Sequence, residues 1–324
     1  MALLRFSLRR LAEAIPLLFG LVTIVFFLSR LLPGDAATVF LSPTISSHVV
    51  DQLKEQFGLN RPAVEQYVSW LRSAVVGNLG YSFSQNEPVT HVIARYFPNT
   101  ALLAGAALII EIAFGIIIAL PVYFASGSTL DRFASRATVV VYTLPSFWIG
   151  LLLLSAFSYG LGLFPSSQMY ASGTRPGSGS LTDLLHHLIL PAATAAIPAA
   201  AALGRYLQAN IRTVMKQEYV VAATSMGLQR PRIFFSYVFP NAAAPMITLI
   251  GVEIGLLLTG ALVTETLFAW PGVGRLTVLA IQSRDYPLIL GCTLVAGVVV
   301  IAGNILSDIA NAMLDPRLRL SNAQ

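Results

Sequence analysis

Few side chains in this sequence could do chemistry, and their surroundings narrow what that chemistry is. Glu111 and Glu253 each stand alone in an otherwise uncharged apolar stretch. If those stretches cross a membrane, a carboxylate there is costly and by default marks function, by lining a pathway or meeting a charged solute. The alternative is polar glue between helices, with the acid protonated. Adjacent His186 and His187 would project about 100° apart on a helix, and no other histidine lies nearby, so no metal site is expected. Cys292 is the single cysteine, which rules out an intramolecular disulfide. The two lysines, Lys54 and Lys216, stand in no phosphate-binding G-x-x-x-x-G-K-[ST] loop. Neither a G-x-S-x-G elbow nor an H-E-x-x-H metal motif occurs. The chain is therefore not expected to be an enzyme or to hydrolyse ATP itself.

The elements that position these residues follow from composition. Of 324 residues, 56% are hydrophobic and 11% charged, with mean hydropathy +0.73. Soluble domains carry about 25% charged residues, so this chain has too few to cover a water-facing surface. The apolar residues also cluster in long runs. Six runs approach the roughly 20 residues that span a bilayer: Ala12–Leu32, Thr100–Phe124, Ala137–Leu161, Leu184–Leu203, Ala242–Val263 and Pro287–Ser307. The fourth contains Pro191 and Pro198, which would kink it. Gly251, Gly255 and Gly260 in the fifth have the spacing of close helix contact. Trp148 and Trp270 are expected to anchor or pack near membrane interfaces.

Orientation follows from the cations. With the N-terminus inside, Arg5, Arg9, Arg10, Arg132, Arg136, Arg205, Arg212, Lys216, Arg230, Arg232, Arg317 and Arg319 fall on the cytoplasmic side, twelve in all. Eight fall outside, four of them in the long segment after the first span, where the rule loses force. Both termini are therefore expected in the cytoplasm. Arg9-Arg10 reads as the inside flank of an uncleaved first span, because the apolar run exceeds a signal h-region and no small-x-small cleavage site follows.

Residues 33–98 are too long for a simple hairpin connection and are expected to fold as a small, mostly helical extracytoplasmic segment. Ser46 or Ser47 caps a first helix that ends at Gly58. Pro62 opens a second, with Val64, Tyr67, Val68, Leu71 and Val75 on one apolar face. Gly77 and Gly80 break it, and a third short helix over Val89–Tyr96 leads to Pro98. The segment is either a platform that meets substrate or a delivery protein, or a packed cap.

The stretch 205–235 joins spans four and five on the inner side. Arg205, Arg212, Lys216, Arg230 and Arg232 accompany a single acid, Glu218. Gly227 is placed to end a helix in the left-handed conformation, and Pro231 to start another. Ala222 and Ala223 keep the element's profile low, so another protein's surface could approach closely. Helix, sharp turn, helix between two spans could pass a partner's movement to both. The bland alternative is a basic loop beside anionic lipid.

This segment resembles the cytoplasmic EAA loop of ABC importer permeases: Glu-Ala-Ala, three residues, Gly, nine residues, then Ile-x-Leu-Pro. Ala222, Ala223, Gly227 and Pro240 fall on it, while Val221, Tyr237 and Phe239 depart from its Glu, Ile and Leu. Other motifs resemble the dipeptide, oligopeptide and nickel subfamily. They include Pro33-Gly34-Asp35, Phe57–Pro62, Gly77–Ser82, Glu265–Phe268, Trp270–Arg275, Arg284–Pro287 and Asp315-Pro316-Arg317.

The resemblance implies a permease subunit importing short peptides. Its partners would be a second homologous permease, two ATP-binding subunits and an external substrate-binding protein. ATP and Mg would sit in the partner subunits, and this chain would hold no cofactor. Glu218, Ala222, Ala223, Thr224, Gly227, Arg230 and Pro240 would form the ATPase-coupling segment, and Glu111 and Glu253 would line the pathway or hold the bundle. The expected architecture is an all-α membrane protein. Residues 1–32 hold the inside flank and first span, 33–98 the outer segment, 99–315 the permease domain and 316–324 a cytoplasmic tail. The rival is an ion-coupled secondary transporter using Glu111 and Glu253 as proton carriers; a further rival is a membrane receptor whose outer segment binds ligand without flux.

Overall fold

The computed structural model describes residues 2–31, 60–171, 173, 180–246, 249–251, 253, 257 and 262–314. Helix α1 (Ala2–Arg30) is followed by α2 (Ala63–Val75) and a two-residue hairpin, β1 (Tyr81–Ser82) against β2 (Glu87–Pro88). Then come α3 (Val89–Phe124), α4 (Thr129–Thr143) and α5 (Ser146–Leu153), which continues as a π-helix to Gly160. Next are α6 (Leu181–Val214), α7 (Glu218–Ser225) and α8 (Arg230–Ile233), which runs through a π-helical stretch into α9 (Phe239–Ala243). The described chain closes with α10 (Leu262–Leu267), α11 (Val273–Gln282) and α12 (Tyr286–Leu314).

Among the described residues, α1, α3, α6 and α12 are each long and apolar enough to cross a membrane. A fifth crossing arises if α4 and α5 count as one span bent by 105°. The run Ala137–Leu161 is therefore two helices rather than one. Pro145 explains the break, because a residue before proline is pushed out of the helical region, and Leu144 is extended at φ −78°, ψ 133°. Much of the expected span Ala242–Val263, with Gly255 and Gly260, lies outside the described residues, as does the helix expected up to Gly58.

The bundle is built around α3 and α6. Gly115 and Gly204 let them approach: a Cβ on Gly115 would lie 3.1 Å from Leu203, and one on Gly204 would lie 3.1 Å from the Gly115 carbonyl. Both helices run unbroken through internal prolines, Pro98 and Pro121 in α3 and Pro191 and Pro198 in α6. The short helix expected over Val89–Tyr96 is thus the first part of α3, not a separate element. At 1.5 Å per residue the 36-residue α3 is about 54 Å long, well beyond a hydrocarbon core of roughly 30 Å. Helix α6 likewise continues past Leu203 to Val214, carrying the following residues on a rigid rod.

Helix α1 packs on α12, where Gly297 would clash with Leu18 and Leu21 if it had a Cβ. It also carries α2: Tyr67 is buried against Phe26, with ring centroids 5.2 Å apart, and its hydroxyl lies 2.6 Å from that of Thr23. Arg30 donates to Gln66 and lies over the rings of Phe26 and Tyr286. The packed edge of α2 is Tyr67, Trp70, Leu71 and Ala74. Val64, Val68 and Val75, expected on that face, are exposed.

Candidate functional site

The stretch after α6 folds as its residues dictate. Gln217 is extended, α7 runs to Ser225, and Gly227 adopts φ +73°. There the Gly227 amide donates to the Thr224 carbonyl (3.0 Å) and the Leu228 amide to the Ala223 carbonyl (3.3 Å), closing the helix end. Pro231 sits in the first turn of α8, where its missing N–H costs nothing. Glu218 lies exposed in the first turn of α7, at the positive end of the helix dipole.

One face of this element joins the bundle core. Val220, Ala223, Ile233, Phe234 and Val238 are buried in one cluster with Leu207 and Ile211 of α6 and Ala119, Val122 and Tyr123 of α3. Ala222 and Thr224 face out, and the Thr224 hydroxyl donates to the Val220 carbonyl at 2.8 Å. Ala223 turns inward at 5% exposure, so only Ala222 of the pair shapes the outer profile. The open face instead carries Tyr219, Val221, Met226 (78% exposed) and Phe235. Pro240 lies beyond the element in α9, after the π-helical stretch.

Two straps brace this end of the bundle. Arg212, in the last turn of α6, donates to Asp131 Oδ1 at 2.7 Å, and Asp131 is buried at the start of α4. Asp131 also accepts from the Gly127 amide (3.0 Å) and the Ser135 hydroxyl (3.4 Å). Arg230 donates to the Tyr123 carbonyl (3.2 Å), while the Tyr123 hydroxyl donates to the Arg230 carbonyl (3.0 Å). The Arg230–Tyr123 strap thus ties α8 to the end of α3, and the Arg212–Asp131 strap ties the end of α6 to the start of α4. Asp131 and Tyr123 were missed as site residues. The one signal was Asp131 as a lone acid beside Arg132 and Arg136.

The opposite end of α3 is clasped differently. Glu265 is fully buried; its Oε1 accepts from the Thr100 hydroxyl (2.7 Å) and its Oε2 from the Arg275 amide (2.9 Å). The Thr100 oxygen in turn accepts from the Val273 amide (2.8 Å). A Cβ on Gly272 would lie 2.1 Å from the Glu265 carboxyl, so a side chain there would push that carboxyl off its partners. Burial pushes the Glu265 carboxyl above its ordinary pKa, against the hydrogen bonds from Thr100 and from the Arg275 and Gly274 amides. Trp270 is fully buried and donates from its indole nitrogen to the Asn99 carbonyl (2.9 Å), so of the two expectations it packs rather than anchors. Asp285, also fully buried, accepts from the Ser82 hydroxyl (2.6 Å), the Ser84 amide (2.9 Å) and the Ser84 hydroxyl (2.8 Å). It thereby ties the β-hairpin to the start of α12.

The remaining candidates lie apart from α7 and α8. Glu111 is buried midway along α3, with Oε2 lacking a hydrogen-bond partner among the described residues, and Glu253 is half-buried. His186 contacts the Leu163 carbonyl (2.6 Å) and His187 pairs with Asp183 (3.2 Å), so they do not face a common point. Among the described residues, no three His, Cys, Asp or Glu side chains are grouped to hold a metal.

Comparison with known proteins places this geometry. Residues 111–320 match the model of the binding-protein-dependent transport system inner membrane component, and residues 3–104 match its N-terminal companion. The oligopeptide transport system permease protein AppB of Bacillus subtilis is 35% identical, covering 97% of this chain and 98% of its own length. The di/tripeptide transport system permease protein DppB of Pseudomonas aeruginosa is 32% identical, covering 98% and 99%. Among solved structures, a chain of the inward-facing MetNI methionine ABC transporter matches with a TM-score of 0.52 at 12% identity, covering 70% of this chain and 97% of that one. That likeness speaks to fold alone. The near-full-length relatives and the family match agree, and the chain belongs to the family of binding-protein-dependent transport system inner membrane components.

Proposed function

We propose that this chain is one of two permease subunits of an ATP-driven importer of short peptides in a prokaryotic cell membrane. It has six spans, both termini in the cytoplasm, and residues 205–235 as the seat for an ATP-binding subunit. Peptide as the substrate class rests on relatives named for oligopeptide and di/tripeptide transport at 35% and 32% identity. An external binding protein delivers the substrate on the side of residues 33–98.

The observation that carries the mechanism is the split character of α7–α8. Its inner face shares one apolar core with α3 and α6, and its outer face presents Tyr219, Val221, Met226 and Phe235 to a partner. The Arg212–Asp131 and Arg230–Tyr123 straps pass a push on that face into the bundle. Rocking of packed helices against one another then opens the pathway alternately to each side. Membership of a binding-protein-dependent family stands against the ion-coupled alternative.

The test is cross-linking in the native host. Met226→Cys introduces an exposed thiol, while the native Cys292 is buried. The expected result is one adduct with a P-loop ATPase, together with a second permease in the purified assembly. A complex that contains the ATPase yet never cross-links from position 226 removes the docking assignment. Repeated recovery of the folded chain alone removes the ATP-driven reading.

A further inference from the structure

Helix α4 serves the machinery above through one side only. Asp131 and Thr138 are buried and Ser135 is half-buried on the side that meets Arg212. The opposite side exposes Arg132, Phe133, Arg136, Val139 and Val140, with Phe133 71% and Val140 60% open. Arg132 and Arg136 stand one helical turn apart, between those apolar side chains.

The charge on this face is uncompensated. Arg132 makes a single contact, from Nε to the Ser128 carbonyl at 3.4 Å. Arg136 has no hydrogen-bond or ion-pair partner among the described residues. Asp131, the one acid of α4, is turned to the far side and is occupied there by Arg212, the Gly127 amide and the Ser135 hydroxyl. Two guanidinium groups therefore point outward with most of their donors free, a fork geometry suited to phosphate oxygens.

Depth along the bundle follows from two contacts. Residue 131 lies beside Arg212, and a Cβ on Gly150 would lie 2.9 Å from Thr194. The chain thus descends along α6 from residue 212 to residue 194, about 27 Å at 1.5 Å per residue. Helix α6 is apolar around Thr194 and turns polar from Arg205, with Gln208, Asn210 and Arg212. The start of α4 accordingly lies at headgroup level, and its later turns enter the hydrocarbon. Its cations occupy the first two turns, and Val139 and Val140 follow below them. In water Phe133 and Val140 would be left uncovered, and deep in hydrocarbon the arginines would be costly. The boundary satisfies both, since the arginine stems lie along apolar surface while their heads reach the phosphate layer.

We infer that the outer face of α4 is a seat for an anionic phospholipid, whose phosphate is held by Arg132 and Arg136 and whose acyl chains lie against Phe133, Val139 and Val140. Charge complementarity selects an anionic headgroup, and the apolar side chains select a lipid over a free anion. The inference rests on the chain crossing a membrane, and not on peptide as cargo or on the ATPase.

Native mass spectrometry of the full-length chain in detergent tests it, with phosphatidylglycerol or phosphatidylcholine of matched acyl chains added. Wild type is expected to retain phosphatidylglycerol in preference, and R132Q/R136Q to bind it about fivefold more weakly for each arginine removed. R61Q/R72Q removes the same charge from exposed arginines beyond α4 and is expected to leave the preference intact. No preference in wild type, or an equal loss in both double variants, overturns the inference. A second readout needs no variant: phosphatidylglycerol with a photoreactive acyl chain, in nanodiscs holding wild type, is expected to label residues 133–140. Labelling confined to other segments overturns the assignment. Loss of that label in the assembled complex also overturns it, by giving this face to a protein partner.

Discussion

The two ends of α3 are held by opposite chemistries. Around Thr100, buried carboxylates accept from hydroxyls and backbone amides: Glu265 and Asp285 are both fully buried, and Gly272 leaves no space for a side chain. Around Tyr123, long arginines reach across exposed ground to Asp131 and to main-chain carbonyls, and large apolar side chains face outward. The first pattern is dry and over-determined, and it resists rearrangement. The second is half-solvated, with an open face. In the proposed orientation the extracytoplasmic end is a fixed collar and the cytoplasmic end is a lever awaiting its driver.

That contrast breaks most sharply at the collar. Glu265→Ala would strand the Thr100 hydroxyl and the Arg275 amide in a buried site, at about 1–3 kcal/mol for each group left unsatisfied. Gly272→Ala should do comparable damage through its clash with the same carboxyl. The expected outcome for both is little folded protein in the membrane, read by detergent-solubilised yield and fluorescence-detected size-exclusion chromatography. Normal yield of Glu265→Ala would show that the collar is not a stability determinant. Asp285→Ala should strand the buried Ser82 hydroxyl and Leu288 amide at a comparable cost, while half-buried Ser84 can turn to water. Its signature should be faster proteolysis within residues 81–88, with the bundle intact.

The lever should respond more mildly in stability and more strongly in function. Gly227→Ala places a side chain in the left-handed region, at about 1 kcal/mol, with no steric contact to worsen it. Uptake should fall more than yield does. Separating Arg212 from Asp131 by a double-mutant cycle should give a coupling of about 1 kcal/mol or less, because the arginine side chain is half-exposed. If the strap transmits movement, Arg212→Ala should still leave ATP hydrolysis poorly coupled to uptake. Tight coupling in that variant would confine the strap to a structural role.

How far these ends were legible in the sequence depends on distance along the chain. The stop at Gly227 and the start at Pro231 are local events, set by one residue's backbone freedom and another's fixed φ, and both appear where expected. The collar was visible only as motifs. Its logic lies in bonds between residues 165 and 203 positions apart, which no local pattern encodes. Asp131 escaped for the same reason, its partner being 81 residues away. Pro145 shows the opposite failure: the local signal was present, but the apolar run around it read as one span. For Trp270 the sequence left anchoring and packing open, because aromatic type says nothing about burial. Its indole bond to Asn99 is what makes it a plug.

The smallest stability effect carries the sharpest functional consequence. Ala223→Asp is a poor probe of docking, because Ala223 is buried beneath α7 and a carboxylate there would disrupt the element itself. Val221→Asp and Met226→Asp instead alter only the open face, and surface changes of that kind cost within about 0.5 kcal/mol. Yield and thermal stability of the chain should therefore match wild type. Recovery of the ATP-binding subunit should collapse, since a charge set against an apolar partner surface is desolvated without compensation. Undiminished recovery with both aspartates present would mean that the partner grips this end elsewhere, and the exposed side chains of α7 would then belong to the lipid surface.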